Sequence, residues 1–345
     1  MTLAVLCSGQ GQQQSNMFAL TGEAPQAANL FAHAATLLGG RDPREIVRTD
    51  TGDTLHQSRV GQILCTLQAL AAAATLRDTW PRKLIVAGYS VGEVAAWSVA
   101  GLMDATMTLD LVAQRANAMD AFSRPGDGLL FVRGLSYGAV EDLCNRHDAA
   151  IAIVNPDDAY VLGGAGVALE VIAEVAKRMG AARIVRLAVK VASHTARLAA
   201  ASSEFRKILD QTPTKLSLAP NVRLFSGIDG SAVINISAGL DKLAKQISQR
   251  VEWSHCLEGC VEAGASAFFE LGPGRALNEM AAGAYPEIPA RSLDDFRTLQ
   301  GARAWLSRAS AKSRDGEHVR WDHAFDADRN KLDEPPDKKL TVRRC

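Results

Sequence analysis

Ser90 stands between Gly88 and Gly92 in the stretch AGYSVGEVAAW, residues 87–97. The apolar run KLIVAG precedes it and the helix-like run VGEVAAWSVAG follows, which is the setting of a G-x-S-x-G nucleophile elbow. Glycines on both sides let the chain turn sharply and let strand and helix approach closely, leaving the hydroxyl exposed at the turn. The start of a helix adds free backbone N–H groups and the positive end of its dipole, both suited to a developing oxyanion. Small residues also collect in ordinary tight turns, so the pentapeptide alone leaves a structural serine open.

A serine hydroxyl is a poor nucleophile at neutral pH and needs a base. Of seven histidines, His318 and His323 fall in a charged C-terminal stretch, while His33 and His147 lie on runs that read as helix surface. His194, in KVASHTARLAA, follows the strand-like run ARIVRLAV and opens a new helix, the kind of position where open α/β sheets gather their ligands. The residues alone leave it as either a base or a structural cap. Arg115 shares the helical face of Leu111, Val112 and Met119, so its guanidinium runs along a buried side. A buried charge needs a partner, either an internal carboxylate or the carboxylate of a ligand.

The elements that must hold these groups alternate between apolar runs (LAVLC, KLIVAGY, AAIAIVN, ARIVRLAV, VRLFSGI, ASAFFELG) and stretches of helical period. That alternation predicts an α/β fold with a mostly parallel sheet. Alanine-rich helices are expected over residues 66–80 and 169–180, the second closed by Gly180. Between residues 124 and 190 the order becomes strand, helix, strand, turn, strand, helix, strand, which predicts an inserted ferredoxin-like (βαββαβ) subdomain. The expected organisation is a large α/β domain from residues 1–123 and 191–308, the insert at 124–190, and a mobile charged tail at 309–345. Within that tail DADRNKLDE lacks the glycine and spaced acids of a calcium loop.

Composition narrows the function. Lysine plus arginine equals aspartate plus glutamate, 38 each, so no net field argues for nucleic acid or an anionic membrane. The N-terminus lacks a basic region and a signal-length apolar core, and no apolar stretch reaches the roughly 20 residues a spanning helix needs. A cytoplasmic protein with a small ligand is the expectation. The six cysteines form no C-x-x-C pair and have no histidines at zinc-ligand spacing, so reduced structural thiols are expected and no metal.

Taken together, SGQGQQ (8–13), GYSVGE (88–93), Arg115, SHT (193–195) and VEWSHCLEGCVEAGASAFFELGPG (251–274) resemble the malonyl-CoA:acyl-carrier-protein transacylase family over residues 1–307. Tyr89, where members of fatty-acid synthesis carry histidine, and the ending ARSLDDFRTLQGARAWL resemble the malonate decarboxylase epsilon-subunit branch.

The resemblance implies an α/β-hydrolase-like large domain and a serine–histidine acyltransferase without a cofactor. It makes Ser90 the nucleophile and His194 its base, oriented by the backbone carbonyl of Gln246. It implies backbone N–H groups of Gln10 and Val91 as oxyanion donors, Arg115 as the grip on the malonyl carboxylate, and Gln62 as a residue of the acyl pocket. The implied partners are malonyl-CoA and an acyl carrier protein, that of malonate decarboxylase or alternatively of fatty-acid or polyketide synthesis. Cys7 and Ser8 depart from the family's phenylalanine and proline. A serine esterase or an inactive carrier-docking scaffold are the competing readings; the esterase expects an acid in its triad and gives Arg115 no task.

Overall fold

The computed structural model describes residues 1–50 and 52–311. In chain order the strands begin with β1 (Thr2–Cys7), β2 (Lys83–Gly88), β3 (Asp127–Arg133), β4 (Ala149–Asn155) and β5 (Ala159–Ala165). They are followed by β6 (Arg183–Arg186), β7 (Val222–Leu224), β8 (Val251–Glu252), β9 (Ala267–Glu270) and β10 (Ala290–Ser292). Two five-stranded sheets result.

The first sheet, β10-β9-β1-β2-β7, is wholly parallel. Its central strands are buried on both faces, which is why they read as continuous apolar runs rather than as alternation. Register aligns Cys7 with Gly88 and Leu6 with Glu270, so the carboxyl ends of the three central strands finish together. Helices cover both faces, and the Ser58–Leu76 helix lies deepest. By length and apolarity the 58–79 stretch could cross a membrane, but 83% of its apolar window is buried inside the protein, as a core helix requires.

The second sheet runs β6-β3-β5-β4-β8. Counted within the insert, its first four members are the fourth, first, third and second strands, antiparallel to their neighbours, with the Tyr137–Arg146 and Gly166–Arg178 helices packed on one core. This is the ferredoxin-like order, and with the parallel sheet it gives the α/β architecture with a smaller second unit that the sequence leads one to expect. β8 was not foreseen: two residues from outside the insert add a parallel edge to β4, too short to leave a periodic signal. The Ser58–Leu76 helix likewise starts eight residues before the expected 66, because Gly61 and Gln62, ahead of the alanine run, mask a first turn that is nonetheless helical. The Leu299–Ala311 helix extends past residue 308, while the rest of the expected tail, with His318, His323 and the calcium-loop lookalike, lies outside the described residues.

One buried acid ties this core to the loop after β1. Glu270, fully buried at the end of β9, accepts from the Ser8 hydroxyl at 2.7 Å and from the Asn278 amide at 2.8 Å. Burial pushes its carboxyl up to about 8, against the lowering effect of these donors. A raised pKa means the folded state holds the proton more tightly than the unfolded chain. Its contribution to stability is therefore full below the ordinary value of 4.5 and is lost as pH rises through about 8. Glu270→Gln is expected to flatten the alkaline fall in thermal stability, as melting curves between pH 5 and 9 will show; an unchanged slope would contradict this assignment.

Candidate active site

The elbow forms because two glycines allow strand and helix to touch. A Cβ on Gly92 would stand 2.1 Å from the Cys7 carbonyl oxygen, and one on Gly88 would stand 2.2 Å from the Gly92 backbone. Between them Ser90 adopts φ 55°, a left-handed conformation that costs a non-glycine residue about 1–3 kcal/mol and persists only where its surroundings enforce it. The Gly92–Val99 helix begins immediately after, so its amino end faces the serine.

Ser90 Oγ lies 2.8 Å from His194 Nε2. The His194 ring is fixed at its other nitrogen, where Nδ1–H donates to the Gln246 carbonyl at 2.5 Å, and the His194 amide donates to the adjacent Ile247 carbonyl at 2.8 Å. That pairing sets the tautomer: a proton on Nδ1 leaves Nε2 free to take one from the serine. His194 also has a left-handed φ of 62°. Burial, and then the positive charge of Arg115, lower its pKa to about 3, with the Gln246 carbonyl opposing them. The imidazole is thus neutral, and available as a base, throughout the physiological range.

Arg115 projects from the Ala105–Phe122 helix and is 1% exposed. Among the described residues no carboxylate lies within 4.0 Å of it, so the internal salt bridge that its burial allowed is not made. Its two terminal nitrogens donate to amide oxygens, to Gln62 Oε1 at 2.6 Å and to Gln246 Oε1 at 3.3 Å, while Nε has no partner. Burial lowers its pKa to about 10, which still leaves it charged at neutral pH. A buried cation with only neutral partners is set up to receive an anion.

Gln62 sits behind this guanidinium. It is buried in the Ser58–Leu76 helix, and its Nε2 donates to Ser58 Oγ at 3.2 Å. Val91 directly follows Ser90, and the loop carrying Gln10 packs against the elbow. Gly9, next to Gln10, packs so closely on the elbow that a Cβ would come within 2.7 Å of the Tyr89 carbonyl and 3.4 Å of Ser90 Cβ. Among the described residues the backbone amides of Gln10 and Val91 donate to no other group. Hydrogen bonds thus join Ser90, His194, Gln246, Arg115 and Gln62 into one connected group, and the Gln10 loop is set against it by packing.

Three residues around this group were not singled out from the sequence. Glu93, 1% exposed in the first turn after Ser90, accepts from Gln246 Nε2 at 2.6 Å and from the Gly227 amide at 3.1 Å. Burial pushes its carboxyl up to about 7, and the donors around it pull the other way. Its signal was a lone acid inside the apolar run VGEVAAW. Trp253 meets the Tyr89 ring edge-on at 5.3 Å between centroids, and Asn155 of β4 lies near the Tyr89 hydroxyl. Tyr89, the residue before Ser90, is therefore packed against Trp253 just beyond β8 of the second sheet, a contact no sequence spacing announces. A cavity of about 280 Å³ reaches His194 between Cys144, Ile151, Ser248 and Arg250. Larger hollows, of about 500 and 650 Å³, lie along the Ala105–Phe122 helix away from Ser90 and contain no nucleophile with a base.

A strand-to-helix elbow bearing a serine, a carbonyl-oriented histidine and a buried arginine form an arrangement suited to acyl transfer, and residues 5–227 match the acyl transferase domain family, to which the chain belongs. Among curated proteins it is 26% identical to the malonyl CoA-acyl carrier protein transacylase of Haemophilus influenzae over 88% of this chain and 98% of that protein. It is 29% identical to the protein of that name from Mycobacterium bovis over 84% of this chain and 96% of the other. Among solved structures, the acyl-carrier-protein S-malonyltransferase of Burkholderia pseudomallei superposes with a TM-score of 0.80 at 26% identity, covering 88% of this chain and all of that one.

Proposed function

We propose that the protein moves malonyl from malonyl-CoA through a malonyl-Ser90 intermediate to the prosthetic-group thiol of an acyl carrier protein. The observation that carries this reading is the buried Arg115, charged and without a carboxylate partner, in the same hydrogen-bonded group as the Ser90–His194 pair. The similarity to proteins named for malonyl transfer to carrier protein supports it.

In the first half-reaction His194 Nε2 takes the Ser90 proton as Oγ bonds to the thioester carbonyl carbon. The amides of Gln10 and Val91 hold the oxyanion, a contribution of about 10²–10³-fold per donor. The carbon–sulfur bond then breaks and the coenzyme A thiolate receives the proton from His194. In the second half-reaction the carrier's thiol gives its proton to His194, attacks malonyl-Ser90, and Ser90 takes the proton back. A carbonyl stabilises imidazolium less than a carboxylate does, yet it is sufficient here, because a thiol with a pKa near 8.5 is an easy leaving group. Substrate charge also assists: a malonyl carboxylate on Arg115 offsets the charge that depresses His194, so the correct substrate strengthens the base.

Arg115→Ala is expected to lower kcat/KM for malonyl-CoA by about 10²-fold, the worth of a charge-assisted bond, and to shift preference toward acetyl thioesters. Parallel kinetics with malonyl- and acetyl-CoA check this; unchanged discrimination would sink the role. The carrier on this reading is that of malonate decarboxylase, supported by Tyr89 and by the 290–306 ending. A carrier of fatty-acid or polyketide synthesis is the second reading, and the names of the curated relatives specify an acyl carrier protein without mention of a decarboxylase. Malonyl transfer to the two carriers in competition decides between them. We also propose cytoplasmic residence and the division into residues 1–123 with 191–308 and an insert at 124–190.

A further inference from the structure

Glu93 does not touch the reacting atoms, yet Ser90, His194 and Arg115 all hydrogen-bond to one residue it holds or to each other. Gln246 serves both functions of the site. Its backbone carbonyl orients His194, and its side-chain oxygen accepts from Arg115. Its side-chain nitrogen has two hydrogens, one given to the Ser90 carbonyl at 3.0 Å and the other to Glu93 Oε2 at 2.6 Å. The amide cannot be flipped without facing its NH₂ to the guanidinium and its oxygen to two acceptors, so this orientation is fixed by its partners.

Of the two groups that accept from this nitrogen, the Ser90 carbonyl belongs to the elbow itself. Glu93 is the anchor reaching Gln246 from a side chain, and its own position is set by the Gly227 amide at 3.1 Å. The turn packs directly on this carboxyl, since a Cβ on Gly227 would stand 2.9 Å from Glu93 Oε2. Glu93 is linked to Arg115 only across the Gln246 amide, with no salt bridge between them. That spacing leaves both guanidinium arms on neutral oxygens, and a substrate carboxylate meets a cation that no protein carboxylate has already claimed.

We infer that Glu93 is a positioning residue which, through the Gln246 side chain, sets the His194 base and the Arg115 carboxylate grip together, so that nucleophile activation and malonyl selection depend on one hydrogen bond. The inference rests on the acyl-transfer reading above. It goes beyond that reading in coupling two functions that would otherwise be separable. A Glu93 that merely stabilised the core would change the amount of folded protein and leave the ratio of malonyl to acetyl kcat/KM untouched, because that ratio does not depend on active concentration.

Three variants separate the alternatives. Glu93→Asp keeps the charge but withdraws the oxygen from Gln246 by about one carbon–carbon bond. Glu93→Gln loses the charge but keeps an oxygen able to accept from Gln246 and Gly227. Glu93→Ala removes both. With purified protein, malonyl-CoA, acetyl-CoA and a holo carrier protein, Glu93→Asp and Glu93→Ala are expected to lower kcat for malonyl by at least about tenfold and the malonyl-to-acetyl ratio by a similar factor. Glu93→Gln is expected to stay within about fivefold of the parent on both, with melting temperatures recorded for all. Should Glu93→Ala fail to fold, the contrast between Asp and Gln still decides. An unchanged ratio in Glu93→Asp, or a Glu93→Gln protein that melts normally yet loses as much as Glu93→Asp, overturns the inference. Parent protein that transfers neither acyl group overturns the acyl-transfer reading instead.

Discussion

Ser90→Ala is expected to lower malonyl transfer by about 10⁴-fold or more, while malonyl-CoA binding and thermal stability stay close to those of the parent. The size of the effect follows from the pathway. Without Oγ no covalent intermediate forms, and direct attack by the carrier thiol would need that thiol where the serine now stands. Binding survives because the anion site on Arg115, the Gln62 and Gln246 amides and the Gln10 loop do not include the hydroxyl. Stability survives because the residue keeps its place between Gly88 and Gly92, and alanine tolerates the φ of 55° about as poorly as serine does. Single-turnover transfer to a holo carrier protein, with binding followed by calorimetry, measures both halves. Residual transfer within tenfold of the parent would show that another group carries the acyl chain.

The second large effect is expected at His194. His194→Ala should cost about 10²–10⁴-fold in kcat, the range of a lost general base. Its pH behaviour distinguishes this base from one paired with a carboxylate. Burial and the charge of Arg115 hold His194 at about 3, well below its ordinary 6.5, so the free protein keeps a neutral imidazole down to that pH. On the acid side the unfolded chain therefore takes up the proton first. Stability contributed by His194 is present above about 6.5 and is lost progressively as pH falls toward 3. Melting temperatures of the parent should decline over that window and those of His194→Ala should decline less. In kcat/KM for malonyl-CoA, no acid limb belonging to His194 is expected above about pH 4. A limb near 6.5 that vanishes in the variant would mean that the imidazole is not depressed.

The elbow and the alternation of strands and helices were legible because they are local. Gly88, Ser90 and Gly92 occur within five residues, and buried parallel strands declare themselves as unbroken apolar runs. Arg115 was legible as a buried charge from helical spacing, but its partners were not, since Gln62 and Gln246 lie 53 and 131 residues away in the chain. Gln246 carries no spacing signal of its own. It came from family resemblance, and only the fold shows its side chain lying between Glu93 and Arg115. Glu93 was passed over because an acid in the first turn of a helix is ordinary on dipole grounds, and its burial is invisible until the 226–227 turn closes over it. The two-residue strand β8 and the Asn155–Tyr89 contact were hidden for the same reason: both depend on the second sheet meeting the elbow's side of the molecule.

The most direct test of the account is the covalent state of Ser90 after brief incubation of the protein with malonyl-CoA and no carrier. Peptide mass spectrometry should find malonyl on the peptide containing Ser90, absent from Ser90→Ala and discharged by a holo carrier protein. Malonyl found on another residue, or retained by Ser90→Ala, would contradict the claim that this serine carries the acyl group.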